Sequence, residues 1–516
     1  MVDGFDVYGL VRLILSGINL LFVIFVLFFE RKNSTSRFAW LMVLLFLPVI
    51  GMILYILFSG NFFTASKRMR KVNYFSKYLS EDIRNRQRDY LVKNINTIPH
   101  HTIKKYIPLV KMNLEHGNSI LTTAYDIKIF THGIYFFEDL CTALENAKES
   151  IYMEYFIFHN DKIGNRIMEI LCRKAEEGLD VKLIYDDLGS ISTPTKFFKR
   201  LNKAGGDARP FFQIRIGLAF TLNYRNHRKL TVIDNNLSYI GGINIGDEYA
   251  NQKEKGRHHK LNWRDTVVRM SGNAVLTSKM NFLLDWFSLD VGKHKAKTIQ
   301  DVMGFFPEDT IETAVSAIET NNEERLFTSF FDPNQILVQI VNSGPTETTH
   351  EKIEDALITM INSAKKTIYI QTPYFTPTEQ FLNALKLASF RGVKVNIMIP
   401  SQWDKFYMKA ASYQFASEMS QHEINFYLYN GFIHAKTIVV DGKICSIGTT
   451  NIDNRSFSLH YEQNAIFYDR RISTKCIAIF NEDIKSSKYA DSTYFKNKKL
   501  IVRATWSLFK LFSPFM

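Results

Sequence analysis

The feature that most constrains this chain is that it reads as one pattern written twice. Ala147-Lys148-Glu149-Ser150-Ile151-Tyr152-Met153 matches Ala364-Lys365-Lys366-Thr367-Ile368-Tyr369-Ile370, a helix end running into an apolar strand. Further on, Arg173-Lys174-Ala175-Glu176-Glu177-Gly178 leads into Val181–Tyr185, as Arg391-Gly392 leads into Val393–Ile399. Each is a helix, a glycine stop and a strand. Strands alternating with helical patterns of this length imply βαβ units and a parallel or mixed sheet covered by helices. The 516 residues therefore divide into two similar α/β halves rather than one oversized domain. The weakly patterned stretch 292–324 marks the boundary, giving halves over 116–322 and 323–516, with 67–115 a basic link and 1–66 a separate unit.

Both halves carry the string H-x-K-x4-D: His227-Arg228-Lys229 with Asp234, and His434-Ala435-Lys436 with Asp441. Leu230–Ile233 and Thr437–Val440 are apolar and β-branched enough to be strands, where positions i and i+2 point the same way, so each His shares a face with its Lys. Asp234-Asn235-Asn236 and Asp441-Gly442-Lys443 are turn sequences. Each motif thus opens a hairpin whose return strand brings Asn244 beside His227 and Asn451 beside His434. By this geometry the two aspartates sit at the far tips as turn-formers. Each imidazole needs a carboxylate to fix its tautomer, and each half offers one on a later strand. Asp265 lies 38 residues after His227 and Glu462 28 residues after His434, the difference being absorbed by a polar surface loop over 251–260.

Two histidines, two lysines and two asparagines converging across a pseudo-twofold interface suit phosphoryl transfer. One imidazole attacks phosphorus to give a phosphohistidine, and the other protonates the leaving oxygen. Lysine and amide groups neutralise the phosphate oxygens in place of a metal. Arg225, Arg228 and Lys229 crowd His227 with positive charge, which favours its neutral form and its use as the nucleophile, while Glu462 holds His434 as the acid. The four cysteines, Cys141, Cys172, Cys445 and Cys476, are scattered without a C-x-x-C pair. Neither a zinc site nor a disulfide framework is expected, and no cofactor enters this reading.

Ahead of the repeat lie two uncharged apolar runs, 13–29 and 38–66. A bilayer core needs about 20 apolar residues in a helix, which the second run exceeds and the first meets once Tyr8–Val11 join it. They predict a hairpin of two transmembrane helices, kinked at Pro48 and Gly51. Lys67, Arg68, Arg70 and Lys71 after the second run, against Arg31, Lys32 and Arg37 between the runs, put both halves on the cytoplasmic side. The net charge of +13 points to an anionic ligand: nucleic acid, anionic lipid or a phosphate-bearing substrate. A basic, aromatic tail from Lys496, with Trp506, Phe509 and Phe512, reads either as an interfacial helix or as core packing. Trp403, Phe406, Tyr407, Tyr413 and Phe415 likewise read as an acyl-chain path or as core.

These pieces resemble the phospholipase D superfamily, and specifically the bacterial cardiolipin synthases. The residues that carry the resemblance are Glu30-Arg31-Lys32-Asn33, Phe46-Leu47-Pro48-Val49-Ile50-Gly51, Arg225-Asn226-His227-Arg228-Lys229, Gly241-Gly242-Ile243-Asn244, Trp263-Arg264-Asp265 and Asn451-Ile452-Asp453-Asn454-Arg455-Ser456. The resemblance implies two duplicated phospholipase D-like α/β domains behind a transmembrane hairpin, in the bacterial cytoplasmic membrane. It implies transfer of a phosphatidyl group from one phosphatidylglycerol to another with release of glycerol. His227, Lys229, Asp234, His434, Lys436 and Asp441 would form the catalytic set, with Asn244 and Asn451 on substrate and Asp265 and Glu462 orienting the histidines. Anionic membrane lipids are the expected partners, and no nucleic acid is. The rivals are a hydrolase or tethered nuclease on the same scaffold, and an inactive lipid-binding scaffold, against which the intact His and Lys pairs argue.

Overall fold

A computed structural model of the chain describes residues 7–29, 34–58, 84–94, 101–213, 224–251, 261–289, 302, 304–306, 332–345 and 351–516. The boundary expected over 292–324 and the loop at 252–260 lie outside the described residues, apart from 302 and 304–306.

The first half holds β1 (Leu121–Phe130), β2 (Ser150–Tyr155), β3 (Asp180–Asp186), β4 (Asp207–Phe211), β5 (Arg225–Asn226), β6 (Lys229–Ile233), β7 (Leu237–Gly241), β8 (Trp263–Arg264) and β9 (Val267–Ser271). The second begins with β10 (Ile336–Ser343), β11 (Thr367–Gln371), β12 (Phe375–Thr376), β13 (Lys394–Pro400), β14 (Asn425–Tyr429) and β15 (Phe432–Ile433). It continues with β16 (Thr437–Val440), β17 (Ile444–Gly448), β18 (Ile452–Asp453), β19 (His460–Phe467) and β20 (Ser487–Ala490).

The duplication shows as a mirrored strand order. One side runs β1-β9-β7-β6-β2-β3-β4 and the other β10-β19-β17-β16-β11-β13-β14, with β20 added at the edge. β1 and β10 join them, antiparallel, with Leu121 opposite Gln339 and Ala124 opposite Ile336. Within each half the βαβ strands are parallel, β2 with β3 and β11 with β13, and the motif hairpins β6/β7 and β16/β17 are antiparallel. Leu140, Ile167 and Leu171 from the first half's helices pack on Ile151, Met153 and Leu183 of its sheet. Leu357, Ile361 and Leu385 do the same over Ile368, Val395 and Ile397. A third core joins the halves, with Val232, Ile240 and Val268 from one and Val439, Ile447 and Ala465 from the other. All four cysteines are free thiols.

Two expectations change. The stretch 67–115 is not simply a link: the helices at 84–94 and Ile107–Glu115 bury Tyr90, Leu91, Leu109, Val110 and Leu114 in the second half's core. Gln87 exchanges hydrogen bonds with the Leu121 backbone (2.7 and 2.8 Å) and Asn113 Nδ2 donates to Gln339 Oε1 (3.1 Å). Composition marked these residues as basic, but alternate faces of their helices carry enough Leu, Val and Tyr to be drawn onto the sheet.

The second difference is at the N-terminus. Tyr8–Phe28 is the one described helix long and apolar enough to cross a membrane. The second run breaks at Leu47 into Ser34–Phe46 and Pro48–Phe58. Pro48 brings no N–H and crowds the carbonyl four residues back, which is that of Leu44. That orphaned Leu44 carbonyl accepts from Asn19 Nδ2 of the first helix at 3.2 Å. The three pieces pack around Val26, Trp40, Leu44, Met52 and Tyr55. Gly51 sits so close that a Cβ there would lie 2.7 Å from the Val43 carbonyl oxygen. Replacing Asn19 with Leu leaves the Leu44 carbonyl without its donor in apolar surroundings, and should weaken the association of these helices by about 0.6–2 kcal/mol. Unfolding in dodecyl sulfate mixed micelles reads this out; an unchanged transition would mean that the Asn19 amide does not matter to the packing.

Candidate active site

The two motif histidines are delivered to one buried place by a crossed arrangement of short strands. β5 pairs parallel with the start of β19, His460 opposite Arg225 and Tyr461 opposite Asn226. β15 pairs in the same way with β8, Phe432 opposite Trp263 and Ile433 opposite Arg264. Each histidine follows directly. The backbone N–H of His227 donates to the Tyr461 carbonyl (2.9 Å) and that of His434 to the Arg264 carbonyl (2.7 Å). The residue directly after each of these carbonyls is a carboxylate. His227 Nδ1 lies 2.8 Å from Glu462 Oε1, and His434 Nδ1 lies 2.6 Å from Asp265 Oδ2.

The two carboxylates expected from the sequence are thus the right residues with the wrong histidines. Each was expected to serve the imidazole of its own half, whereas each serves the imidazole of the other. Sequence separation favoured the local pairing, but the strands after the hairpins run across the pseudo-twofold. Asp265 also explains Gly242, where a Cβ would stand 2.1 Å from Asp265 Oδ1.

With Nδ1 fixed on a carboxylate, Nε2 of each ring is left for the shared space. Both histidines are only 7% exposed. Lys229 Nζ donates to the His227 carbonyl (2.6 Å), whereas Lys436 Nζ donates to the His434 carbonyl and also lies 2.7 Å from His434 Nδ1, so Lys436 keeps fewer N–H groups for a ligand than Lys229 does. Thr449 Oγ1 donates to Glu462 Oε2 (2.5 Å). Arg225 and Arg228 do not crowd His227 as free cations. Arg225 Nη1 pairs with Asp186 Oδ1 (3.3 Å), and Arg228 is paired with Asp285.

Burial, then Lys229, holds His227 well below the ordinary imidazole range, with His460, Lys436 and His434 adding to the push. His434 is pushed down to about 4 by burial and Lys436, with Asp265 pulling the other way. The carboxylates differ. Burial lifts Glu462 well above the usual range. Burial acts to raise Asp265 too, but Lys436 and His434 outweigh it and hold it below. Chiefly through burial, Lys229 is pushed down to about 7 and Lys436 to about 8. A site crowded with buried cations and short of counter-charge is built to receive an anion.

The motif aspartates stand apart from this chemistry. Asp234 is roughly 20 Å up the strand from His227, where it accepts from the N–H groups of Lys148 (2.8 Å), Glu149 (2.8 Å) and Ser150 (2.9 Å). Asp441 accepts in the same way from Lys365 (2.9 Å), Lys366 (2.7 Å) and Thr367 (3.0 Å). Both take positive φ in their turns. They pin each hairpin to the neighbouring strand start, which corrects their placement in the catalytic set. The asparagines differ from one another. Asn244 spends Oδ1 on Ile157 N–H (3.2 Å) and Nδ2 on the Tyr249 hydroxyl (3.0 Å). Asn451 has Oδ1 buried without a hydrogen-bond partner among the described residues, and its amide N–H side is turned to the Asp453 carboxylate.

The sequence reading missed His460. Its ring centroid is 5.4 Å from that of His227, and its Nδ1 is 3.7 Å from Glu462 Oε1. Aligning Trp263-Arg264-Asp265 with His460-Tyr461-Glu462 would have flagged it. His227, His460 and Glu462 bring one ligand atom each within 4.8 Å, a cluster that residue spacing did not reveal. The cations around it, Lys229, Arg225 and Arg455, oppose a divalent metal there.

The chain matches the family described as "Cardiolipin synthase, PLD-like domain" over residues 140–255 and 357–484, and that described as "Phospholipase_D-nuclease N-terminal" over 17–60. It is 37% identical over 519 residues to a cardiolipin synthase of Listeria monocytogenes serotype 4a, covering 99% of this chain and 100% of that one. It is 35% identical over 501 residues to cardiolipin synthase 2 of Staphylococcus epidermidis, covering 97% and 96%. Among solved structures, the phosphatidylserine synthase of Haemophilus influenzae superposes with a TM-score of 0.55 at 15% identity, over 80% of this chain and 97% of that one, a likeness of fold.

The depressed lysines give the site a pH signature. Lys229 is charged below about pH 7 and Lys436 below about 8 in the empty site, so affinity for an oxyanion should be highest near pH 6. It should fall by roughly tenfold or more between pH 7 and 9 as the ammonium groups are lost. Calorimetric titration of the detergent-solubilised protein with sulfate, whose charge is constant over this range, should show that fall together with proton uptake on binding. Equal affinity at pH 6 and 9 would contradict it.

Proposed function

Because the chain belongs to the cardiolipin synthases of the phospholipase D superfamily, and is therefore a phosphatidyltransferase, we propose that it joins two phosphatidylglycerol molecules through a phosphohistidine on His227. His227 Nε2 attacks the phosphorus of the first lipid. A P–N bond forms as the P–O bond to the glycerol headgroup breaks, and the proton on His434 Nε2 passes to the departing oxygen. The hydroxyl of the second phosphatidylglycerol then gives its proton to His434 and attacks in turn. The P–N bond breaks, and the product is cardiolipin. Lys229 and Lys436 meet the charge on the phosphate oxygens.

The observation that carries this reading is the crossed anchoring of two imidazoles through Nδ1, with an ammonium beside each. The unequal carboxylates support the division of labour. Glu462 resists ionisation and gives His227 no incentive to take a second proton, which suits a nucleophile. Asp265 stays ionised and favours the imidazolium of His434 once an anion is bound, which suits the acid. Near-complete burial of both rings supports transfer over hydrolysis, since it restricts water.

Two apolar crossings, Val7–Phe28 and the broken pair Ser34–Phe46 with Pro48–Phe58, would hold the enzyme in the bacterial cytoplasmic membrane, both halves facing the cytoplasm. The C-terminal helix Leu500–Lys510 supports contact with an anionic lipid surface in a way that reconciles its two readings. Trp506 packs against Tyr413 and Phe509 against Phe406, while Leu500, Ile501, Leu508 and Leu511 stay exposed. Lys409, Lys485, Lys488 and Lys498 line a cavity of about 930 Å³ beside it. Of the other aromatics, Tyr413 and Phe415 are core and Phe406 is exposed.

Purified enzyme in mixed micelles containing phosphatidylglycerol alone should yield cardiolipin and glycerol in equal amounts; phosphatidic acid as the main product would make it a hydrolase. Brief exposure of His434→Ala to the same micelles should leave a lipid phosphate on His227, seen by mass spectrometry, whereas His227→Ala should carry none. An adduct on His434 in His227→Ala would reverse the two roles.

A further inference from the structure

The pseudo-twofold makes the two flanks of the site directly comparable, and they do not match. Trp263, two residues before Asp265, is paired with Phe432 and packs edge-on against the His434 ring at 5.1 Å. Its counterpart is His460, two residues before Glu462, paired with Arg225 and 5.4 Å from the His227 ring. Around Trp263 the flank is apolar: Phe432 lies 4.7 Å away and Tyr374 6.3 Å beyond it, with Trp403 stacked on Tyr374. Around His460 the flank is cationic, with Arg455 and Lys229 bearing most strongly on its ring, while Arg225 behind them is paired with Asp186. The side chain of His460 is 14% exposed, and both ring nitrogens are buried without a hydrogen-bond partner among the described residues. Glu462, at 3.7 Å, is too far to satisfy Nδ1. A buried imidazole whose N–H and lone pair are both unmet needs a ligand to meet them. Cations on the same flank require that ligand to be an anion.

On the reading of the reaction above, one phosphate sits between His227 and His434 while a second, on the incoming lipid, stays intact. A single glycerol bridge separates the two, so the intact phosphate must lie close beside the reacting one. We infer that His460, on the flank that Arg455 makes cationic, is the subsite for the intact phosphodiester of the acceptor lipid, and that the aromatic flank opposite takes the apolar arm of the donor. His460 is then a specificity residue. It favours an acceptor that carries its own phosphate over a bare polyol such as glycerol, and it leaves the formation of the phosphohistidine to the central pair.

Glycerol exchange separates this role from a general one, because exchange of isotope-labelled glycerol into phosphatidylglycerol uses the same donor and the same histidines but an acceptor without phosphate. In mixed micelles at subsaturating phosphatidylglycerol, His460→Phe keeps a ring and removes both nitrogens. It should lower cardiolipin formation by roughly tenfold to a hundredfold, the worth of a hydrogen bond to a charged group, and lower glycerol exchange by far less. His460→Gln, which restores a donor near the Nε2 position, should recover part of the loss. Equal losses in both reactions, or a Gln variant no better than Phe, would overturn the subsite while leaving the two-histidine reaction standing. A wild-type enzyme that makes neither cardiolipin nor exchanged lipid would overturn the reaction and the subsite together.

Discussion

The site depends on a hydrogen-bond exchange between halves: each histidine takes its backbone acceptor and its carboxylate from the other copy of the repeat. His227 is tied to Tyr461 and Glu462, and His434 to Arg264 and Asp265. Each imidazole thus takes its carboxylate from across the repeat, although His434 Nδ1 also lies 2.7 Å from Lys436 Nζ of its own half. The β1/β10 junction and the shared core around Ile240, Val268, Ile447 and Ala465 therefore do more than stabilise the fold, because they set the register in which the crossed strands meet. Hairpin pinning by Asp234 and Asp441 serves the same end at a distance, holding each motif strand against the start of β2 or β11.

Electrostatics follow from that geometry. Bringing two histidines and two lysines into one dry place costs solvation that only two carboxylates partly offset. The empty site responds by loosening protons from Lys229, Lys436 and both rings. In the proposed reaction a phosphodiester would supply the missing counter-charge, which would make binding and the protonation of the acid one event. The duplication also gives the two half-sites the same frame, and small substitutions in it make them unequal. Asp265 against Glu462 sets an ionised carboxylate behind one ring and one that resists ionisation behind the other, and Trp263 against His460 separates an apolar flank from a cationic one.

Much of this was legible in the sequence. The repeat, both hairpins, the face shared by His and Lys, the tip position of the aspartates and the identity of the two carboxylates all follow from strand periodicity and turn chemistry. What was not legible concerns contacts between distant segments. Periodicity says which residues share a face but not which strand lies alongside, so Asp265 and Glu462 were matched to the wrong rings. Residues 84–94 and 107–115 read as a link because their charge hides an apolar face that only the second sheet uncovers. The break at Leu47 was foreshadowed by Pro48, but the Asn19 amide that answers it lies on another helix. His460 carries no motif and stands out only when the two carboxylate strands are laid over one another.

The central claim is the crossed pairing, and double-mutant cycles on unfolding free energy in micelles test it most directly. His227→Ala should couple to Glu462→Gln by about 0.5–3 kcal/mol, as residues in contact do, and be additive with Asp265→Asn to within about 0.5 kcal/mol. His434→Ala should show the reverse, coupling to Asp265→Asn and not to Glu462→Gln. Coupling of His227 to Asp265 and of His434 to Glu462 would contradict the account, because each half would then orient its own imidazole.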